Sequence, residues 1–527
     1  MIRIPDLPSF TGVAGAGSLF PYWSSTQDRT FRLGLNGITG KFYVWEYGAK
    51  GDGTTDDAAA IQACINAAAV AGGEVVFKPV VYAIGTTLSL ATRGITLQGA
   101  GKNTFDSVNY GTVLKWIGNA TDNWINISGD TCNVYDMDLR TSNVQTGGVA
   151  INVVRTGIIG TRHGIERVII NDAFNGVNFQ GFNYCRMADG YITGFRGDYG
   201  VRMTGDSTYR TYNLFLTRVV AQPSSSTSSI GFLHEGLCAS LFVTDCYFSS
   251  CNYGVLMRKD GAGNQPGASR WFRTAVENCR TNGYYLQSTN LCTIMNCFVG
   301  GCGVTSIAGG SGSGIRVGSD CRGSITLDNN DVRTCGEHGI VVASGSAVID
   351  ILNPHCAANS QNGFGTYSGI SIAGDGWTIN GGRSGGDIWF NAAGVKTQAY
   401  GLDIVAGASD FVANGINLEG NITAAVNDGS VAAGKIVNCI GYESATRGTT
   451  GTVTPDANGN VSITHGLSKA PSYANTMLLG DSGVNEVEVQ AVSSTTITAR
   501  IYNSTTGADV VGGNFVIMWQ AETDRAG

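Results

Sequence analysis

Short runs in which apolar and polar side chains alternate with period two recur through most of the chain. Leu241-Phe242-Val243-Thr244, Ile325-Thr326-Leu327-Asp328 and Trp377-Thr378-Ile379-Asn380 are three of them. Such alternation predicts strands buried on one face and not helices of 3.6-residue period. Between residues 148 and 402 a glycine followed by one large apolar residue occurs ten times, at Gly148-Val149, Gly176-Val177, Gly200-Val201, Gly231-Phe232, Gly254-Val255, Gly283-Tyr284, Gly314-Ile315, Gly339-Ile340, Gly369-Ile370 and Gly401-Leu402. The steps are 28, 24, 31, 23, 29, 31, 25, 30 and 32 residues. A period in the twenties that stretches by several residues predicts stacked units of two or three strands with insertions in their turns. Coils about 4.8 Å apart build a parallel β-helix, and about eleven to thirteen of them make a rod on the order of 55 Å long. Cys246, Cys251, Cys297, Cys302 and Cys335, with Asn296 and Asn330, recur at turn positions of successive coils. They predict an interior ladder of small, polarizable side chains.

Ahead of the repeats, Thr55-Asp56-Asp57 precedes a run, 58–69, in which Ile61, Cys64, Ile65 and Ala68 share one face. This predicts a capped amphipathic helix, with Asp52, Asp56 and Asp57 serving turns and the N-cap. Gly72-Gly73 ends it, and strands at 74–77, 82–84 and 95–101 follow. Beyond Tyr442 the polar stretch 443–450 reads as a linker, and residues 451–527 carry strands about every ten residues, which suits a small antiparallel sandwich.

Composition supports a solenoid: Gly numbers 76 and charged residues are 14%, against a usual charged share of about 25%. Net charge is −7 with no basic block, so nucleic acid is not an expected partner. The 14 cysteines are spread widely and no secretory leader precedes them, so reduced thiols are expected. No apolar run is long enough to span a bilayer, and no membrane insertion is expected. A long rod with apolar faces needs partner subunits to cover them.

The string YGAKGDGTTDDAAAIQACINAAAVAGGEVVFKPVVYAI, followed by ITLQGAG, closely resembles the opening motif of the pectate-lyase-like superfamily. The resemblance implies an all-β fold, a right-handed single-stranded parallel β-helix over 42–442, with cap and first coils at 42–101. Superfamily members include lyases, hydrolases, epimerases and phage tailspikes, so the motif specifies fold more than chemistry. Residues 1–41, with Ile-x-x-Leu-Pro and Leu-Phe-Pro-Tyr, are similar to adaptor segments of phage tail proteins. This implies attachment to a tail or baseplate protein. GNVSITHGLSKAPSY and GGNFVIMWQAE are similar to C-terminal modules of phage tail proteins, where they imply trimerisation or carbohydrate binding. Together these resemblances imply a phage tailspike: a homotrimeric part of the virion tail that binds and depolymerises a bacterial surface polysaccharide, capsule or O-antigen. A non-catalytic receptor-binding fibre and a pectinase-like enzyme or epimerase are the alternatives.

Hydrolysis of a glycosidic bond needs two carboxyl groups, about 6.5 to 9.5 Å apart for inversion and about 5 to 5.5 Å for retention. Alternation points Asp328 and Asp350 outward on successive coils, on the order of 8 Å apart. A slip of one residue would turn Asp350 inward. Glu277 and Asp245 lie one to three coils earlier and complete the catalytic candidates. Arg273, Trp271 and Tyr285 are candidates for binding sugar. Each carboxylate equally suits a solvated face or a turn. Asp331 and Glu337 read as turn residues and rank below these. Elimination would instead need a base such as His, Tyr, Lys or Arg, and His234-Glu235 and Glu337-His338 are histidine and carboxylate neighbours in the coils. The calcium-binding Asp cluster and Arg motif of pectate lyases are not evident, so neither metal nor cofactor is expected.

Overall fold

A computed structural model describes residues 40–522 apart from 103–110, 156–159, 226, 346–347, 387–395, 431–433, 443–444, 451, 468–469, 472 and 480–484. The adaptor-like segment therefore lies outside the described residues except for its last two positions, where Lys41 already begins the first strand. Most coils have three strands, each paired in parallel with its counterparts in the coils before and after, and together they form three sheets along a right-handed β-helix; in two coils one long strand, Asn133–Thr141 or Gly160–Asn171, serves both the first and the second sheet. In the coil from Thr211 the three strands are Thr211–Thr217, Val220–Pro223 and Ile230–Gly236. They belong to what we call the first, second and third sheets. The third sheet has 13 strands, which at about 4.8 Å per coil gives a rod close to 60 Å long.

The glycine repeat lies on the third sheet. Val177, Val201, Phe232, Val255, Tyr284, Ile315, Ile340, Ile370 and Leu402 stack in one continuous register. The first pair is two residues out of step, because Ile151 and not Val149 opposes Val177. Packing explains the glycines. A Cβ on Gly254, Gly283 or Gly314 would stand 2.1, 2.4 or 2.3 Å from a methyl of Val276, Val299 or Val332, the inward valine of the next coil's second sheet. The third strand turns so tightly against the second that only hydrogen fits.

All 14 cysteines are buried and free. Cys251, Cys279, Cys302 and Cys335 line the corner after the second sheet, and Cys246 and Cys297 the corner after the first. Asn330 continues the latter column, accepting from Cys297 N at 3.0 Å and donating to Ile294 O at 2.8 Å. Asn296 does not belong to this interior. It is exposed, with φ +53°, because it occupies the left-handed residue of the corner itself.

That left-handed residue recurs on nine successive coils as Asp136, Arg167, Asp189, Arg218, Asp245, Arg273, Asn296, Asn329 and Asn353. The charged members pair two by two. Arg167 clamps Asp136 at 2.6 and 2.8 Å, Arg218 clamps Asp189 at 2.6 and 2.9 Å, and Arg273 clamps Asp245 at 2.7 and 2.9 Å. Hydrogen bonds from these guanidinium groups hold all three carboxyls below their usual range.

The helix Ala58–Ala71 closes one end, burying Ile61, Cys64, Ile65 and Ala68. Asp56, not Asp57, receives the N–H of Ala58, while Asp57 is buried and ties down the backbone of Lys50 and Gly51. No helix is long and apolar enough to cross a membrane among the described residues. The C-terminal part is a pair of three-stranded antiparallel sheets around Val461, Ile463, Ile497, Ile501 and Ile517. The expected linker contains the strand Ala445–Thr449, paired with Val516–Glu522. A polar edge strand has no apolar alternation to announce it.

Candidate active site

The sequence candidates fall on different facets of the rod. Asp328 and Asp350 both point outward from the first sheet, since Ile325, Leu327, Ile349 and Ile351 are buried between them. The register opposes Thr326 to Asp350, so the two carboxylates sit on adjacent coils two residues apart. Thr378 donates to Asp350 at 2.6 Å. Glu277 lies on the second sheet, and Asp245 and Arg273 on the corner between, paired to each other. Tyr285 is on the third sheet, near Tyr253 at 5.8 Å between ring centroids and with Arg316 above it.

Trp271 cannot bind sugar. It is 1% exposed, and its ring packs edge-on to Phe232, Phe248 and Tyr284 inside the coil. Its neighbours in Trp271-Phe272-Arg273 suit either face, and the pleat puts Trp271 inward. His234 is also interior, with burial pushing its pKa down to about 3. Its neighbour Glu235 faces out from the third sheet, held by Arg202 and, at 2.8 Å, by Arg258. Glu337 accepts from Ser311. His338 packs against Tyr367 and accepts from Ser368 N at 3.1 Å.

The second sheet brings together a group that includes one candidate, Glu277. Two outward columns run up it. One carries Tyr247, Ala275, Phe298, Asp331, His355 and Arg383; the other carries Ser249, Glu277, Gly300, Arg333 and Ala357. Tyr247 donates its hydroxyl to Glu277 at 2.6 Å. Burial and that bond raise the tyrosine's pKa. Two coils further on, Asp331 accepts from Arg333 and stands 3.1 Å from Nδ1 of His355, which also meets Arg333 at 3.1 Å. Burial would push the Asp331 pKa up, but His355 and Arg333 outweigh it and hold the carboxyl below its usual value. Arg383 follows His355, its Nε buried without a hydrogen-bond partner among the described residues.

Phe298 lies between these two polar groups, half-buried. Its ring lies over Gly300, where a Cβ would come within 2.8 Å of it. The second sheet therefore offers an apolar floor with a carboxylate and a tyrosine at one end and a carboxylate, two arginines and a histidine at the other. Loops leaving the sheet on nearby coils are tied to one another. Thr305 bonds Asn362 through backbone and hydroxyl at 2.8 and 2.7 Å, and Asn362 returns a bond to Gly303 O at 2.7 Å.

Sequence reasoning ranks Asp331 low because it reads as a turn residue in Asn329-Asn330-Asp331, and it misses Arg333, His355 and Tyr247 altogether. The detectable signal was the spacing: Asp331 and His355 are 24 residues apart, close to one coil, and Arg333 has the period-two offset from Asp331.

A family model described as rhamnogalacturonase A/epimerase, pectate lyase-like, matches residues 42–308. Among solved structures, the tailspike protein gp49 from Pseudomonas phage LKA1 aligns over 92% of this chain and 100% of its own, at 12% identity and a TM-score of 0.58. Tailspike protein 3 of bacteriophage CBA120 aligns over 78% of this chain and 63% of its own, at 15% identity and a TM-score of 0.53. At such identities the likeness is one of fold. A search of curated proteins finds no match to the chain.

Proposed function

The chain belongs to the rhamnogalacturonase A/epimerase, pectate-lyase-like family, and we propose that it is a phage tailspike that binds and depolymerises a bacterial surface polysaccharide, capsule or O-antigen. It would act as a homotrimer on the virion tail, attached through its N-terminal segment. The observation that carries the enzymatic reading is the second-sheet group, in which Glu277 and Asp331 flank the ring of Phe298 on one facet. Asp331, held below its usual pKa by His355 and Arg333, suits a general base acting on water, and Glu277, which accepts the Tyr247 hydroxyl, supplies the second carboxyl group on the same facet. A sugar ring over Phe298 would lie between them. Hydrolysis is the leading chemistry.

Elimination is the second reading, favoured by one observation: His355, Arg333 and Arg383 are contiguous on the same facet. There a base beside two guanidinium groups could serve an acidic sugar. Purified protein incubated with a panel of capsules and O-antigens separates the readings, by following reducing ends together with the absorbance of unsaturated uronates. New ends without absorbance mean hydrolysis, and ends with absorbance mean elimination. Binding with neither would leave a receptor-binding fibre and remove the enzymatic reading.

A further inference from the structure

The second-sheet strand Phe298-Val299-Gly300 turns Val299 into the core and leaves Phe298 and Gly300 on the outer face, two residues apart. In the column of Gly300 the neighbouring coils carry side chains, Ser249, Glu277, Arg333 and Ala357. Glycine inside a strand weakens it, so its presence there calls for a cause. Backbone shape is not the cause. Gly300 lies outside the left-handed region, which the chain enters at the next residue, Gly301, with φ +62°. Nor does the stacking of coils demand it, as it does at Gly254, Gly283 and Gly314. The three atoms nearest to a Cβ at Gly300 all belong to the Phe298 ring: Cζ at 2.8 Å, Cε1 at 2.9 Å and Cε2 at 3.9 Å. The missing side chain makes room for that ring, which folds down along its own strand and leaves Gly300 buried although it faces outward.

A ring lying along a sheet presents its face to the medium. On the first sheet the outward rings do the opposite, since Phe215 and Phe242 stack at 4.9 Å and 7° and each covers a face of the other. Phe298 pairs with no other ring among the described residues. Its column neighbours are Ala275 on the coil before, too short to cover it, and Asp331 on the coil after. Hydrogen-bonding groups rim it, with Glu277 and Tyr247 on one side and Asp331 and Arg333 on the other.

From this we infer that Gly300 is a positioning residue, which lays Phe298 flat as a stacking platform for one sugar ring of the polymer. The inference rests on the polysaccharide reading above and names the subsite where that polymer is gripped. An apolar floor with a few polar groups at its rim fixes both the place and the orientation of a ligand. The ring that fits is a pyranose with an unbroken face of C–H bonds, set on the electron-rich face of the phenylalanine. Its hydroxyls then lie in the ring plane, where the rim groups meet them. A sugar with an axial hydroxyl or a charged group on that face would bury it unpaired against Phe298 and is rejected.

The test uses the full-length protein and whichever capsule or O-antigen of the panel above the wild type cleaves or binds. Gly300→Ala is expected to raise KM, or Kd where nothing is cleaved, at least about fivefold with kcat within about twofold, the pattern of lost binding and not of lost chemistry. The melting temperature should stay close to wild type, because alanine suits this backbone and the atoms it displaces are the end of a movable ring. Phe298→Ala should weaken binding as much, and the double variant no more than Phe298→Ala alone. A glycine with a merely structural role would not couple in this way. An unchanged KM or Kd in Gly300→Ala, or losses that add in the double variant, overturns the inference and leaves the polysaccharide reading standing. A wild type that neither cleaves nor binds any member of the panel overturns both. A crystal structure of Gly300→Ala, which needs no ligand, should show the Phe298 ring turned up from the sheet; a ring left in place overturns the role given to Gly300.

Discussion

The outer faces of the first and second sheets are built on one backbone, coil by coil, yet they differ in kind. On the first, stacked phenylalanines give way to threonines and to two carboxylates, of which only Asp350 has a hydrogen-bond partner, Thr378, among the described residues. On the second, acid, base and guanidinium groups are tied into contacts of 2.6 to 3.1 Å around a half-buried ring. The interiors behind both are the same ladder of Ile, Val, Leu and Cys. In a solenoid the inward residues decide that a facet exists, and the outward ones alone decide what it does. Two carboxylates at a suitable spacing do not make a site; mutual hydrogen bonding that fixes their protonation states is the stronger sign.

The sharpest break in this comparison would come from Asp331→Asn or His355→Ala. Each is expected to lower the rate of polysaccharide cleavage by about 100-fold or more, with only a modest fall in melting temperature from the lost contacts of Asp331, Arg333 and His355. An equal loss on Asp350→Asn would move the chemistry to the first sheet. Behind the facets, Cys335→Ala should cost about 1 to 2 kcal/mol of stability by opening a small cavity in a close-packed column. Specific activity should stay near normal, as denaturant unfolding and product assays would reveal.

Acid should loosen the interior before it reaches the corner ion pairs. His234 and His163 are buried neutral, with pKa values pushed down by burial to about 3 and about 4, whereas an unfolded chain protonates histidine near 6.5. Their contribution to stability is intact above that value and drains away as pH falls toward 4 and then 3. Melting curves across this range should show the loss, and His234→Met, matching its stacked neighbours Met203 and Met257, should flatten it. The smallest effect is expected at the corner. Arg273→Ala removes a solvent-exposed pair and should leave the melting temperature close to wild type; a drop of many degrees would show the corner column to be structural cement.

Much of this architecture could be read from residues alone. The glycine-apolar pairs marked the third sheet because the neighbouring coil leaves no room for a Cβ there, by a valine methyl at Gly254, Gly283 and Gly314 and by backbone or other side chains at the rest, and a constraint that hard leaves its mark on sequence. The register of Asp350 was legible for a similar reason, with Ile349 and Ile351 both needing burial. The corner column was not. Asn and Asp favour the left-handed region and arginine does not, so Arg167, Arg218 and Arg273 hid a position that Asn296 and Asn329 advertise. The second-sheet group was missed because its members come from separate coils. Nothing local in Asn329-Asn330-Asp331 or Pro354-His355 shows that the two stand 3.1 Å apart.

The corner column also constrains how such a rod can change its length over generations. Where Asp and Arg alternate in couples, gaining or losing a single coil would stack Asp on Asp or Arg on Arg about 4.8 Å apart. Growth there is favoured in steps of two coils. From Asn296 onward the amides and glycines have no sign to match, and one coil may be inherited or discarded alone. A rod under pressure to change its length would vary first in that upper half.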